Sequence, residues 1–316
     1  MPARVLDGQQ IRDRILSELR PEIDALAEAG CRPGLAAVLV GHDPGSEIYV
    51  RNKIQACHSL GLHSEKITPP DSVSTGELLD LVDLLNRRDD IDGILVQLPL
   101  PRQVDSRRVL LAVDSAKDVD GFHPYNVGAL VAGQPGLVPC TPAGILEILK
   151  RSGIPIAGRR AVVLGRSDIV GKPAALLLMH ENATVTICHS KTQDLAQVAS
   201  QAHILVAALG RPAMVTGEFI RPGATVIDVG ITRLQDSTQV ERVFAALPAK
   251  IEEFRRKGSL LVGDVHPAEV IERAGAYTPV PGGVGPLTIA MLMSNTVRAC
   301  RLRRASSLPA SPEVVC

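Results

Sequence analysis

Residues 161–192, AVVLGRSDIVGKPAALLLMHENATVTICHSKT, constrain the fold of this chain more than any other stretch. An apolar run, Ala161–Leu164, enters a turn containing Gly165 and Gly171, and an apolar helix opened by Pro173 follows. A second, β-branched run at Ala183–Cys188 lies at the distance of a βαβ crossover. In a dinucleotide site, glycines at such a turn let the backbone approach a pyrophosphate at a helix N-terminus. The spacing departs from GxGxxG, because only Gly165 and Gly171 are present. A purely structural strand–turn–helix accounts for that spacing equally well.

The end of the second strand narrows the cofactor. An Asp or Glu there commonly binds the ribose diol of NAD, whereas cations and hydroxyls suit the extra phosphate of NADP. Here the strand runs into His189-Ser190-Lys191-Thr192, with Arg166 in the glycine turn and no acid in that place. These polar side chains are compatible with a solvated loop, but together they favour NADP.

At 316 residues the chain is long enough for two domains. Its 34 Lys and Arg balance 34 Asp and Glu and are dispersed, so nothing points to a nucleic-acid surface. The longest purely apolar run, Ala174–Met179, is too short to span a bilayer, and the N-terminus lacks the apolar core of a signal peptide. Six cysteines show neither CxxC nor a metal-like pairing with histidine. Four of them, Cys31, Cys57, Cys140 and Cys188, sit among apolar or small residues and read as buried free thiols. A cytoplasmic, reduced protein without a metal centre is the expectation.

In chain order, Asp7 caps a first helix running to about Ala29, with a bend or break near Pro21. Leu35–Val40 is an apolar strand, and after His42-Asp43-Pro44-Gly45 a helix runs from Ser46 to Leu60, stopped by Gly61. Tyr49 and Lys53 share a face of that helix, with Ser46 one turn earlier. A phenol beside an ammonium suits acid/base work, yet a lysine snorkelling along a tyrosine gives the same spacing. Ser74 and Glu77 form a capping box for the helix Thr75–Arg87.

Gln97 interrupts the buried strand of DGILVQLPLP near its carboxyl end, where open α/β sheets place ligands. A core amide bonded to the backbone is the alternative. Residues 117–128, KDVDGFHPYNVG, read as a loop carrying Asp118 and Asp120, one of which can bond its own turn. Thr141 caps a helix with Pro142 at its first position. Strands at 160–164, 183–188, 203–207 and 224–229 then alternate with helical segments, the pattern of a doubly wound parallel sheet. The charged segment 232–258 reads as an exposed helical excursion broken by Pro248, contributing little to either core. The Pro/Gly run Tyr277–Pro286 feeds a final amphipathic helix over 287–303, and 304–316 reads as a disordered tail.

Eight blocks in order carry a family resemblance: SEIYVRNK at 46–53, DGILVQLPLP at 92–101, KDVDGFHPYNVG at 117–128, PCTPAGI at 139–145, GRSDIVGKP at 165–173, TVTICHSKT at 184–192, VIDVGI at 226–231 and TPVPGGVGPLT at 278–288. Together they resemble the bifunctional methylenetetrahydrofolate dehydrogenase/methenyltetrahydrofolate cyclohydrolase family (FolD-type). The resemblance implies a two-domain α/β protein and a homodimer. A catalytic domain, 1–140 completed by 279–303, would pair with a Rossmann-like NADP domain, 141–278, with the cleft between them as active site. It makes Lys53 the catalytic lysine, Tyr49 the tyrosine against the folate ring system and Gln97 the hydrogen-bond partner of Lys53. Asp120 holds the pterin, and Ser46, Pro281, Gly282 and Gly283 line the folate site. Gly165, Arg166, Ser167, Ile169, Val170, Ser190 and Ile231 match cofactor-binding positions. The implied chemistry is hydride transfer from methylene-tetrahydrofolate to NADP, then hydrolysis of the methenyl cation assisted by an unprotonated Lys53. The family's connection between Ile231 and Gly263-Asp264-Val265 is ordinarily short, and 232–258 lengthens it here.

Rival readings separate on order and content. A short-chain dehydrogenase also uses YxxxK, but its nucleotide glycines precede that motif, and here Tyr49 precedes Gly165. A shikimate-type dehydrogenase shares the domain order and a Lys/Asp pair. A non-catalytic NADP-binding protein is disfavoured by the retained Lys53, Gln97 and Asp120.

Overall fold

The computed structural model describes residues 3–134 and 136–304; apart from Arg304, the tail expected to be disordered lies outside them. Contacts divide the chain into two units: Met1–Arg12 with Thr141–Thr288, and Asp13–Cys140 with Ile289–Cys316. Eleven strands occur among the described residues: β1 Arg4–Val5, β2 Gly34–Val38, β3 His63–Ile67, β4 Gly93–Val96, β5 Arg160–Leu164, β6 Thr184–Cys188, β7 Ile204–Ala207, β8 Thr225–Asp228, β9 Thr232–Leu234, β10 Leu260–Val262 and β11 Ala276–Tyr277.

In the unit built on 13–140, β3, β2 and β4 form a parallel sheet in that order. All five residues of β2 and all four of β4 are buried, which explains why neither strand alternates in hydropathy. The helix Thr75–Arg87 covers this sheet with Leu78, Val82 and Leu85 at helical spacing. Its start is fixed by the expected capping box: Ser74 accepts from the Glu77 amide, and Glu77 accepts from the Ser74 amide. Burying each of those three side chains stabilises the unit by about 1.5–3 kcal/mol. At the far end Lys117, 1% exposed, donates to the carbonyls of Leu85 and Arg88 and closes the helix. Desolvation lowers its pKa to about 8.

The other unit holds a six-stranded sheet in the order β1-β11-β8-β7-β5-β6, with every pairing parallel. The chain goes from β5 to β6 on one side, then back past β5 to β7 on the other. The winding therefore reverses between β5 and β7, and ligands of such sheets bind at the carboxyl ends there. β1 belongs to this sheet because its two residues pair with β11.

Several local expectations are corrected. The helix Pro44–Leu60 begins two residues earlier than expected, because Asp43 caps it and Pro44 supplies a preset first turn. Residues 117–128 are only half loop: His123 accepts the Tyr125 amide and Pro124 opens a helix, Pro124–Val131. The helix expected to be capped by Thr141 starts at Cys140, and the Thr141 hydroxyl instead meets that of Thr288 at 3.0 Å. Pro21 leaves the first helix unbroken over Gly8–Glu28; it lies on the solvent face, where water can serve the carbonyl of exposed Ser17.

The largest correction concerns 232–258. It is no loose excursion but part of a small folded lobe. β9 and β10 pair antiparallel, and the helices Ser237–Phe244 and Pro248–Lys257 stand between them. Pro248 starts the second helix rather than breaking one. Leu234, Val240, Val243, Phe244, Leu260 and Val262 are buried together. The charged residues masked this period in the sequence: Val240, Val243 and Phe244 form one helical stripe among hydrophilic neighbours.

The five described cysteines are free and buried. Among the described residues no helix is long and apolar enough to cross a membrane.

Candidate active site

Five of the expected residues, Ser46, Tyr49, Lys53, Gln97 and Asp120, lie in the unit built on 13–140. Lys53, on the helix Pro44–Leu60, is 6% exposed, and its Nζ donates to Oε1 of Gln97 at 3.1 Å. Gln97 follows β4 and donates its own Nε2 to the carbonyl of Leu98 at 2.7 Å. Only the amide nitrogen can make that second bond, so the oxygen must face the lysine. The two carboxylates of the following loop divide their work. Asp118 accepts from the His123 amide and from Asn126, which shapes the loop. Asp120 has no hydrogen bond to its carboxylate among the described residues. Burial pushes its pKa up to about 6, the charge of Lys53 draws it back, and Asp118 adds to the rise. An ammonium and a carboxylate with open acceptor sites are thus electrostatically coupled within one unit.

Tyr49, one turn before Lys53, remains 38% exposed, and partial burial raises its pKa. Ser46 stands differently. It is buried, and its amide donates to the Asp43 carboxylate at 2.8 Å, so it serves the helix cap. That bond and the Ser46 hydroxyl hold Asp43 below the ordinary carboxylate range.

The cofactor candidates cluster in the other unit. Gly165, Arg166, Ser167 and Ser190 line a groove of about 300 Å³ at the carboxyl ends of β5, β6 and β7. Gly165 has φ +116°, and a Cβ there would lie 2.1 Å from the carbonyl oxygen of Ala208, so only glycine fits. Ser167 accepts from the amides of Val170 and Gly171, drawing the turn back onto the start of the helix Gly171–His180. Ile169 is 40% exposed on this turn. The His189 amide donates to the Thr192 hydroxyl, and its Nδ1 accepts from the Lys191 amide. That turn leaves Ser190 exposed at its apex and puts the ring proton of neutral His189 on Nε2.

The remaining candidates sit elsewhere in the same unit. Gly282, with φ +106°, accepts from the Gly8 amide. Gly283 packs on Thr278 and Pro279, and Pro281 precedes the two glycines. Ile231, 43% exposed, follows Gly230 after β8.

Sequence reasoning missed the groups that hold these loops. Leu209 and Arg211 line the groove, and the amides of Leu209, Gly210 and Arg211 all donate to the fully buried carboxylate of Asp264. Asp228 in turn accepts from the amides of Gly230, Asp264 and Val265, and burial pushes its pKa up to about 7. The signal was present as VIDVG and LVGDV, two acids interrupting apolar runs. Asn295 was missed too; it donates to the carbonyls of Val119 and Val138, the first of which adjoins Asp120.

Comparison with known proteins agrees with this geometry. A model of the tetrahydrofolate dehydrogenase/cyclohydrolase catalytic domain matches residues 6–120, and one of the NAD(P)-binding domain of that family matches 139–304. The chain is 65% identical over 300 residues to the bifunctional protein FolD of Solibacter usitatus, covering 95% of this chain and 98% of that one. With the bifunctional protein FolD of Koribacter versatilis it shares 61% over 308 residues, 98% and 100% of the two chains. The solved FolD of Trypanosoma brucei, complexed with NADP cofactor and an inhibitor, superposes with a TM-score of 0.86 at 39% identity, covering 96% of this chain and 99% of that one.

Proposed function

The chain belongs to the tetrahydrofolate dehydrogenase/cyclohydrolase family, and from that premise we propose the reaction and the residues that carry it. It is a bifunctional enzyme of one-carbon metabolism. With NADP it oxidises 5,10-methylenetetrahydrofolate to 5,10-methenyltetrahydrofolate, which it then hydrolyses to 10-formyltetrahydrofolate. The observation that carries the residue assignment is the coupling of Lys53, held by Gln97, with an Asp120 that has no internal hydrogen bond.

Asp120 accepts the adjacent N–H donors of the pterin with its two oxygens, and Tyr49 lies against the folate ring system. Pro281, Gly282 and Gly283 bind the folate as well, and Ser46 supports the helix that carries Tyr49 and Lys53. The first step needs alignment of donor and acceptor carbons and no proton acceptor. NADP, when bound, supplies the hydride acceptor. The residues present fit it: Gly165 admits close backbone approach, and Arg166, Ser190 and His189 Nε2–H offer donors to a phosphate with no acid opposing them. Ser167, Ile169, Val170 and Ile231 complete that assignment. In the second step water attacks the methenyl carbon, loses a proton, and the departing ring nitrogen gains one. Lys53 Nζ, fixed in direction by Gln97, moves that proton.

A homodimer is proposed from the family resemblance, and a cytoplasmic location is supported by the five free, buried thiols. The experiment is a pair of assays on the purified protein: NADPH formation from methylene-tetrahydrofolate, and loss of supplied methenyl-tetrahydrofolate above the buffer rate. Absence of both would remove the assignment.

A further inference from the structure

The parallel sheet of the cofactor unit has a second rim, at the amino ends of its strands. Arg159 precedes β5, His203 precedes β7 and Arg221 stands shortly before β8. These three line a cavity of about 280 Å³ with Ile154, Pro155 and Gly223, and none of its ten lining residues is acidic. Among the described residues neither Arg159 nor Arg221 joins an ion pair, and the Arg159 guanidinium has no hydrogen bond.

The contacts of His203 make this more than a patch of solvated cations. The backbone N–H of Arg160 donates to its Nδ1 at 3.1 Å. A backbone amide can only donate, so Nδ1 is the acceptor and the neutral ring carries its proton on Nε2. Nε2 lies 2.7 Å from Nη1 of Arg221, which also can only donate. Two donors therefore face one another with no acceptor between them. Burial, and then the charges of Arg221, Arg159 and Arg160, lower the pKa of His203, so the ring stays neutral at pH 7.

We propose that this cavity binds a phosphate group, held by Arg159, Arg221 and the Nε2–H of His203. An oxyanion supplies the missing acceptor between the two facing donors. A doubly charged tetrahedral group matches two guanidiniums and an imidazole donor better than a single carboxylate does. The volume leaves room for a small organic substituent on the phosphate. The site lies at the opposite strand ends from the groove lined by Gly165 and Ser190.

The test titrates the full chain, saturated with NADP so that the cofactor groove is filled, with inorganic phosphate at constant ionic strength. The side-chain ¹⁵N and ¹H resonances of His203 report occupancy. A saturable shift is expected, weakened at least tenfold in Arg159→Gln and Arg221→Gln, with oxidation of methylene-tetrahydrofolate unchanged in both. A parallel titration with glycerol phosphate distinguishes sources: tighter binding than phosphate identifies a phosphomonoester as ligand, weaker binding identifies free phosphate, and either supports the site. A response that fails to saturate, that chloride reproduces, or that both variants retain would overturn it.

Discussion

Gln97 presents its amide oxygen to the ammonium of Lys53 because its amide nitrogen is already held by the carbonyl of Leu98. The lysine is thereby aimed by a group that cannot rotate without breaking two bonds. A buried lysine nitrogen so placed acts from a fixed position, which proton transfer in the hydrolytic step requires and hydride transfer does not.

Lys53→Met keeps the length of the side chain and deletes the ammonium. Hydrolysis of methenyl-tetrahydrofolate should fall by ~10²–10⁴-fold, the usual worth of a placed proton-transfer group. Part of the NADPH-forming activity should survive, with the folate still held by Asp120 and Tyr49. Hydrolysis within a few-fold of the parent would take Lys53 out of the mechanism.

Asp120 must be ionised to accept from the pterin, and its carboxyl is pushed up to about 6. Below that pH one oxygen becomes a donor, so KM for the folate substrate should rise as pH falls through 6, by up to about tenfold per unit, while kcat changes less. The same shift has a stability consequence. Because the folded pKa lies above that of the unfolded chain, ionisation costs stability as pH rises from about 4 to 6 and costs nothing below 4. Asp120→Asn should flatten both profiles; a KM that still climbs below pH 6 in that variant would assign the titration to another group.

Asp264 holds the amides of Leu209, Gly210 and Arg211, which border the cofactor groove. Asp264→Asn turns an amide nitrogen toward donors that need an acceptor. KM for NADP should rise tenfold or more, while hydrolysis of supplied methenyl-tetrahydrofolate, which needs no nicotinamide, stays near the parent rate. Equal loss of both activities would mark a folding defect instead.

Arg166 and Ser190 line the groove, and none of its lining residues is an acid that would prefer a ribose diol. NADP should support turnover much better than NAD, and Arg166→Ala should narrow the gap by weakening NADP alone. Equal kcat/KM for the two cofactors in the parent would refute the assignment.

Phe244 is 3% exposed in the small core of the 232–262 lobe. Phe244→Ala should destabilise that unit by about 3–5 kcal/mol in denaturant melts. A loss under 1 kcal/mol would return the segment to the status of a surface appendage.

What the sequence made legible followed from local physics. The capping box at Ser74 and Glu77, the stop at Gly61 and the β5–β6 crossover each rest on a few neighbouring residues, and each appears in the structure. The two-unit α/β fold and the family were legible from the eight ordered blocks. Two kinds of feature were not. Asp228, Asp264 and Asn295 work through backbone amides and carbonyls that are distant in sequence, so acids interrupting two apolar runs marked the first two as buried without telling which groups they hold. The lobe at 232–262 hid its core because five charged residues dominated the hydropathy: Glu253 pairs with Lys250 and Lys257, and Glu252 with Arg255.

The pairing of β1 with β11 sets an order on synthesis. Arg4 and Val5 are among the first residues made, yet their partners Ala276 and Tyr277 come near the end. At about 5–20 residues per second, the first strand waits on the order of tens of seconds for the edge it joins. The other unit waits too, since Asp92, made early, is bonded by Arg303 and Arg304 of the last helix. A ribosome that stalls before Ala276 therefore releases a chain in which neither unit is closed, and such fragments should be substrates for chaperones and proteases rather than half-enzymes.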